Sequence, residues 1–220
     1  MASYSKIEDL PTELPIFPLT GVLLLPRGRL PLNIFEPRYL AMFDDAMGGS
    51  RLIGMIQPSA MKDDPFGATQ PAELYRVGCA GRITSFNESG DGRYLVALDG
   101  IARFRVTSEL TTQRGYRRVI PDWTPYKADL VEDNSQIDRQ RLITLLQSYF
   151  RRLDLSANWD AIGDAPDERL LTSLAMLCPF EPSEKQALLE ADCLSDRARL
   201  MMTLLEIAIA GDGENDRPLN

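Results

Sequence analysis

The chain has 220 residues, 44% hydrophobic and 25% charged, the balance of a globular protein with room for one large or two small domains. Its net charge of −8 argues against broad electrostatic binding to nucleic-acid backbones or anionic lipids, although most of its 24 cations are arginines and could form a local basic patch. The absence of histidine removes Ser-His-Asp and Cys-His nucleophile activation, HExxH zinc chemistry and imidazole proton shuttling.

The opening MASYSKIEDL has neither the basic nor the apolar region of a signal peptide. From Leu14 to Met47 the sequence reads LPIFPLTGVLLLPRGRLPLNIFEPRYLAMFDDAM. Pro15, Pro18, Pro26 and Pro31 cut this stretch into three short apolar runs. Proline has no N–H and a fixed φ, so the runs are predicted as short strands at edges and corners of a small, strongly bent barrel, not as central strands. After Phe35 the period becomes helical through Tyr39, Leu40, Phe43 and Met47. Pro37 suits the first turn of that helix and Glu36 its positive N-terminus.

Leu52–Gln57 is a short apolar run, and the stretch between Pro58 and Pro71 reads as a mobile loop. Leu74–Phe86 and Arg93–Val106 are long extended segments joined at Asn87–Gly92, where Asp91-Gly92 suits the φ > 0 positions of a hairpin turn. Gly78 and Gly81 suggest a bulge or bend, and Tyr116–Trp123 a further strand. Asp129, Glu132 and Asp133 mark an acidic connector.

Beyond it, Ser135 and Asp138 are spaced as a capping box for a helix running to about Leu153. Leu142, Leu145, Leu146, Tyr149, Phe150 and Leu153 form its apolar stripe. Further helices are predicted over Asp167–Leu177, from a Ser183/Gln186 capping box to about Ala191, and over Ser195–Ala210. The division is a β-rich subdomain over 1–122, a connector over 123–135, a helical subdomain over 136–210 and a flexible tail over 211–220.

Catalytic constellations are sparse. Cys79, Cys178 and Cys193 form no close pair and read as small buried hydrophobes of a reducing compartment. Lys185 follows Ser183 by two residues, which reads as a solvent-facing first turn and not as a Ser-Lys dyad. Asp44-Asp45, Asp63-Asp64 and Glu132-Asp133 match no calcium loop and read as solvated surface. Arg103, Arg105, Arg117 and Arg118, with Tyr94, Phe104 and Tyr116, could form an aromatic–basic RNA face, yet Arg-Phe-Arg also describes a half-buried strand. No apolar run approaches the ~18 residues of a membrane span. No cofactor or metal is implied.

The PIFPL opening, the PLNIFEPRY block, the DDAM helix end, Val77-Gly78, the LDGIARF block of Leu98–Phe104 and the helical second half together resemble, in that order, the N-terminal domain of the Lon protease family over roughly residues 14–209. The resemblance implies an α+β fold, an N-terminal PUA-like mixed β-barrel followed by a C-terminal four-helix bundle. It also implies a non-catalytic polypeptide- or protein-binding module of protein quality control. Within the 220 residues there is neither a GxxxxGK[ST] phosphate loop nor a second large domain, so the resemblance extends to recognition and not to ATP hydrolysis or proteolysis.

The implied partners are an unfolded polypeptide or a dedicated protein partner, with a homo-oligomer compatible. The implied setting is cytoplasmic, without membrane or nucleic acid. An RNA-binding PUA-like module and a carboxylate-dependent small-molecule enzyme using Asp44, Asp45 or Asp63 are the alternatives. The candidate polypeptide-binding residues are Arg38, Met61, Phe66, Asn87 and Asp91, from the helix start, the Met61–Phe66 loop and the hairpin tip. A purely architectural role for Glu36-Pro37-Arg38-Tyr39, with Arg38 in a salt bridge and Tyr39 in the core, competes with that assignment.

Overall fold

A computed structural model describes residues 4–59, 72–111, 114–133 and 135–211. Six strands precede the helical half: β1 Leu14–Pro18, β2 Arg29–Ile34, β3 Leu52–Ile56, β4 Val77–Glu88, β5 Tyr94–Leu110 and β6 Arg117–Asp122. The strand order is β2-β5-β4-β3-β1-β6, and β6 pairs again with β5. Five strands thus close into a barrel, and β2 is an added strand that pairs on one side only among the described residues.

The 17 residues of β5 make this possible. Its start, Tyr94–Asp99, pairs with β2, and Arg105–Leu110 pairs with β6. Irregularities at Ala80/Gly81, Ile83/Ser85 and Val106/Ser108 supply the bends that closure requires. Phe104 fills the interior so closely that a Cβ on Gly78 would stand 2.6 Å from its ring and from the Met55 carbonyl oxygen.

Of the three proline-cut runs, the third is the edge strand expected, but β1 has partners on both sides. Leu14–Ile16 pairs with β6 and Ile16–Pro18 with β3. Pro15 and Pro18 are tolerated because each falls where only one neighbour pairs. The middle run forms no strand. Leu23, Leu24 and Leu25 are buried in a loop that crosses β5, and a Cβ on Gly100 would stand 1.9 Å from the Leu25 carbonyl oxygen. Asp99-Gly100 is therefore a crossing point.

Helix α1, Pro37–Met47, starts with Glu36 as N-cap and Pro37 in the first turn, and buries Tyr39, Met42, Phe43 and Ala46. A 3₁₀ helix, Thr124–Leu130, occupies part of the acidic connector. Then follow α2 Arg139–Arg152, α3 Trp159–Asp164, α4 Asp167–Leu177, α5 Pro182–Glu190 and α6 Leu194–Ala210. The α+β class stands, and α3 adds a fifth helix to the four expected. Its six residues are too few to show a period, and Trp159 anchors it on the Phe150 ring at 5.7 Å.

Capping differs from expectation. Asp138 is itself the N-cap of α2, accepting from Arg141 N at 3.1 Å, and Glu184 serves α5 by accepting from Glu181 N at 2.8 Å. Lys185 is buried, not solvent-facing, and its Nζ donates to the Gly21 carbonyl at 2.9 Å. The first turn of α5 packs on the β1–β2 loop, covering the stem and supplying an acceptor. Cys79 and Cys178 are buried as expected, whereas Cys193 is partly exposed.

One apolar cluster runs from Leu24, Phe43 and Leu98 to Leu142, Leu171, Leu188 and Leu205, so barrel and helices share a core. A second cluster, around Phe104, fills the barrel. No described helix is long and apolar enough to cross a membrane.

Candidate functional site

Arg38 projects from the first turn of α1. Its side chain is half exposed, paired with Glu36 at 2.8 Å, and its guanidinium lies 4.6 Å over the Tyr39 ring. Tyr39 in turn packs on Phe17 at 4.2 Å, and its hydroxyl is pushed up by burial, with Arg38 opposing. The architectural contacts anticipated for the quartet are therefore all present. They leave the guanidinium at the lip of a recess of about 200 Å³ shared with Pro18, Ala72, Tyr116 and Arg117. Arg117 Nη1 donates to the Ala72 carbonyl at 2.7 Å. Ala72 is where the described chain resumes after residues 60–71. Met61 and Phe66 lie outside the described residues, as do Asp63 and Asp64.

Asn87 and Asp91 are exposed at the β4–β5 hairpin. Ser89 N donates to Arg93 O at 2.8 Å, Gly92 adopts φ 78°, and Asp91 pairs with Arg93 at 3.0 Å. Hydrogen bonds to Asp91, led by the Ser89 hydroxyl, hold its carboxyl below the usual range. Register puts Asn33, Leu95 and Asn87 in one row across β2, β5 and β4. The chain leaves β2 through Phe35 directly into α1. Topology therefore gathers the hairpin, exposed Leu95, Phe35 (62% exposed) and the start of α1 around the end of β2.

Three of the four arginines of the possible RNA face are engaged within the chain: Arg103 is buried in an ion pair with Asp129, Arg117 pairs with Glu109 and Arg118 with Glu13, while Arg105 is exposed. Asp44 and Asp45 do not converge either: Asp44 accepts from the Tyr94 hydroxyl at 3.0 Å, while Asp45 accepts from Tyr116 at 2.7 Å and pairs with Arg114. Among the described residues no cluster could hold a metal ion.

A larger feature escaped sequence reasoning. Where the barrel meets the helices, a cleft of about 650 Å³ is lined by Arg27, Arg103, Asp129, Glu168 and Arg197. Arg103 binds both Asp129 oxygens, Nη2–Oδ1 at 2.8 Å and Nε–Oδ2 at 2.9 Å. Its Nη1 donates to the carbonyls of Leu189 (3.0 Å) and Ala191 (2.6 Å), placing a cation on the C-terminus of α5. Arg27, held at φ 62°, donates to the Asp129 carbonyl at 2.8 Å and pairs with Glu168. The available signal was helical spacing. Glu168 falls in the stripe of Leu171 and Ala175, and Arg197 in that of Leu194, Ala198 and Met201.

A model of the ATP-dependent protease La (LON) substrate-binding domain family matches residues 13–206. The chain belongs to this family. It is related to much longer proteins. Lon protease 2 of Myxococcus xanthus is 30% identical over 209 residues, covering 90% of this chain and 24% of that protein. Lon protease of Anaeromyxobacter dehalogenans is 34% identical over 132 residues, 60% of this chain and 14% of the relative. The chain thus spans a quarter or less of these relatives' length.

Two solved LON domains share the fold. The Lon N-terminal domain protein from Xanthomonas campestris superposes with a TM-score of 0.59 at 24% identity, over 88% of this chain and 98% of that one. The N-terminal domain of Mycobacterium avium complex Lon protease gives 0.61 at 15% identity, with the same coverage.

Proposed function

We propose that this protein is a non-catalytic substrate-recognition module that binds polypeptide chains, its partner being an unfolded polypeptide or a dedicated protein. The observation that carries the reading is the match to the LON substrate-binding domain family over residues 13–206. Unfolded chains present unpaired backbone and apolar side chains. A barrel with a single added strand offers β2 as the place to pair that backbone. Phe35 and Leu95 supply apolar contact beside it. In this reading Arg38 flanks the surface on the α1 side, and Asn87 and Asp91 flank it on the hairpin side. Pro31 within β2 limits how many N–H groups the edge can offer, which favours weak, reversible capture.

The test is fluorescence anisotropy of a labelled, permanently unfolded polypeptide, beside the same polypeptide folded. Saturable binding of the unfolded form alone, weakened by Phe35→Ser and Arg38→Ala, is expected. No binding up to about 100 μM, weaker than ~5.5 kcal/mol, would refute general capture of unfolded chains.

A further inference from the structure

The barrel–helix cleft contains one buried cation that forms no ion pair among the described residues. Arg197, in the first turn of α6, is only 6% exposed. Its Nε donates to the Leu188 carbonyl at 2.9 Å. It forms no ion pair among the described residues, and no hydrogen bond from either Nη group to them. The other two arginines of the cleft are matched, Arg103 by Asp129 and Arg27 by Glu168. Burial, followed by the charge of Arg103, pulls the Arg197 guanidinium down to about 10, against the opposing charges of Asp129 and Glu168. A buried guanidinium presents a planar fork whose natural complement is a carboxylate, bound through two parallel N–H···O bonds.

We propose that this cleft is a carboxylate-binding site, in which the Nη groups of Arg197 receive the carboxylate of a polypeptide, either its C-terminus or an acidic side chain. The remaining lining defines which carboxylates fit. Once the two ion pairs are set aside, the acids Glu132, Asp133 and Asp192 remain around Arg197. Asp133 already accepts from Leu194 N at 3.0 Å and so occupies the start of α6. These three charges repel a polyanion and favour a single carboxylate with neutral or basic neighbours. Val131, 67% exposed at the rim, and buried Leu194 give an adjoining side chain apolar contact. The site is separate from the β2–α1 surface and does not depend on the reading given to that surface.

The test is calorimetric titration of the intact protein with N-acetyl-Leu-Lys-Ala as free acid and as C-terminal amide. The free acid is expected to bind at least about tenfold tighter, a difference a charge-assisted fork readily supplies. N-acetyl-Leu-Glu-Ala-amide distinguishes the source: binding as tight as the free acid assigns the site to acidic side chains, much weaker binding to chain termini. Replacing Lys by Asp in the free acid should weaken it, and inorganic phosphate should compete poorly.

Arg197→Lys keeps the charge but loses the fork, and should cost the free acid its advantage while leaving the amide unchanged. Should that variant fail to fold, the exposed pair Glu132→Gln/Asp192→Asn decides, since removing two of the three acids must diminish the preference for Lys over Asp. Equal binding of acid and amide, binding of neither up to about 5 mM, an undiminished Lys preference in the rim variant, or phosphate outcompeting the peptide would each overturn the proposal. Failure of the unfolded-polypeptide titration alone would leave it standing.

Discussion

Asp129→Ala probes the joint between barrel and helices directly. Among the described residues Asp129 is the sole carboxylate paired with the 3% exposed Arg103, which it meets through both oxygens, and its Oδ2 also accepts the Arg103 backbone N–H at 2.9 Å. Removing it leaves a guanidinium out of water, held by the carbonyls at the end of α5 and by the Tyr126 ring 4.6 Å away. Breaking one side of a buried pair costs about 3–5 kcal/mol. In a chain of this size that corresponds to a fall in melting temperature of roughly 6–20 °C.

Arg103→Met/Asp129→Leu removes both charges together and should cost clearly less than the two single changes summed, with a coupling above about 2 kcal/mol. Urea unfolding followed by tryptophan fluorescence reads the wild type, Asp129→Ala, the two single changes and the double variant, because Trp123 packs on Phe104 inside the barrel at 5.7 Å. A loss below about 1 kcal/mol for Asp129→Ala, or simple additivity in the double variant, would refute the account of this pair as a desolvated, mutually dependent joint.

Gly100→Ala should abolish soluble expression or cost more than about 3 kcal/mol, because backbone and not a flexible side chain stands 1.9 Å from the new Cβ; near-wild-type urea unfolding would contradict the crossing of the Leu25 loop over β5. Thiol labelling of the folded protein near pH 8 should modify Cys193 first, because Cys79 and Cys178 are buried, and burial, opposed by Lys185, raises Cys178 to about 11; mass spectrometry showing fast labelling at either buried site would count against the packing. Asp133→Ala should cost about 1 kcal/mol at neutral pH by freeing the Leu194 N–H at the start of α6. Burial raises the Asp133 carboxyl, but bonds from Ser135 and Leu194 and the charge of Arg197 outweigh it and hold the group below 3.8. A depressed folded value means the cost is fully present above pH 3.8 and fades as pH falls below it, so a difference that persists at pH 2 would show that Asp133 acts through packing instead.

What the sequence made legible was periodicity and punctuation. The bounds of α4 and the stripe of α2 follow from apolar spacing, and Glu36-Pro37 marks the start of α1. Proline chemistry located β1 and β2 but misjudged β1, because whether a proline is tolerated depends on which neighbour pairs at that residue, a property of register. The joint was not legible for a related reason. Arg103 and Asp129 lie 26 residues apart, on a strand and in a segment whose composition advertises solvent.

The same joint nevertheless left a trace in three helices. Glu168 of α4, Lys185 of α5 and Arg197 of α6 each sit where the helical period calls for an apolar residue, and all three are buried. A charge on a core stripe is costly unless it finds a partner. Glu168 finds Arg27 and Lys185 finds the Gly21 carbonyl, both on the β1–β2 loop, so two of the three act as polar bolts fixing the helices to the barrel. Arg197 donates from its Nε to the Leu188 carbonyl, at the end of α5, and lines the cleft. Its stripe position is therefore unlike the other two: helix–barrel docking accounts for Glu168 and Lys185, whereas Arg197 forms no ion pair among the described residues, which is the opening the proposed carboxylate fills.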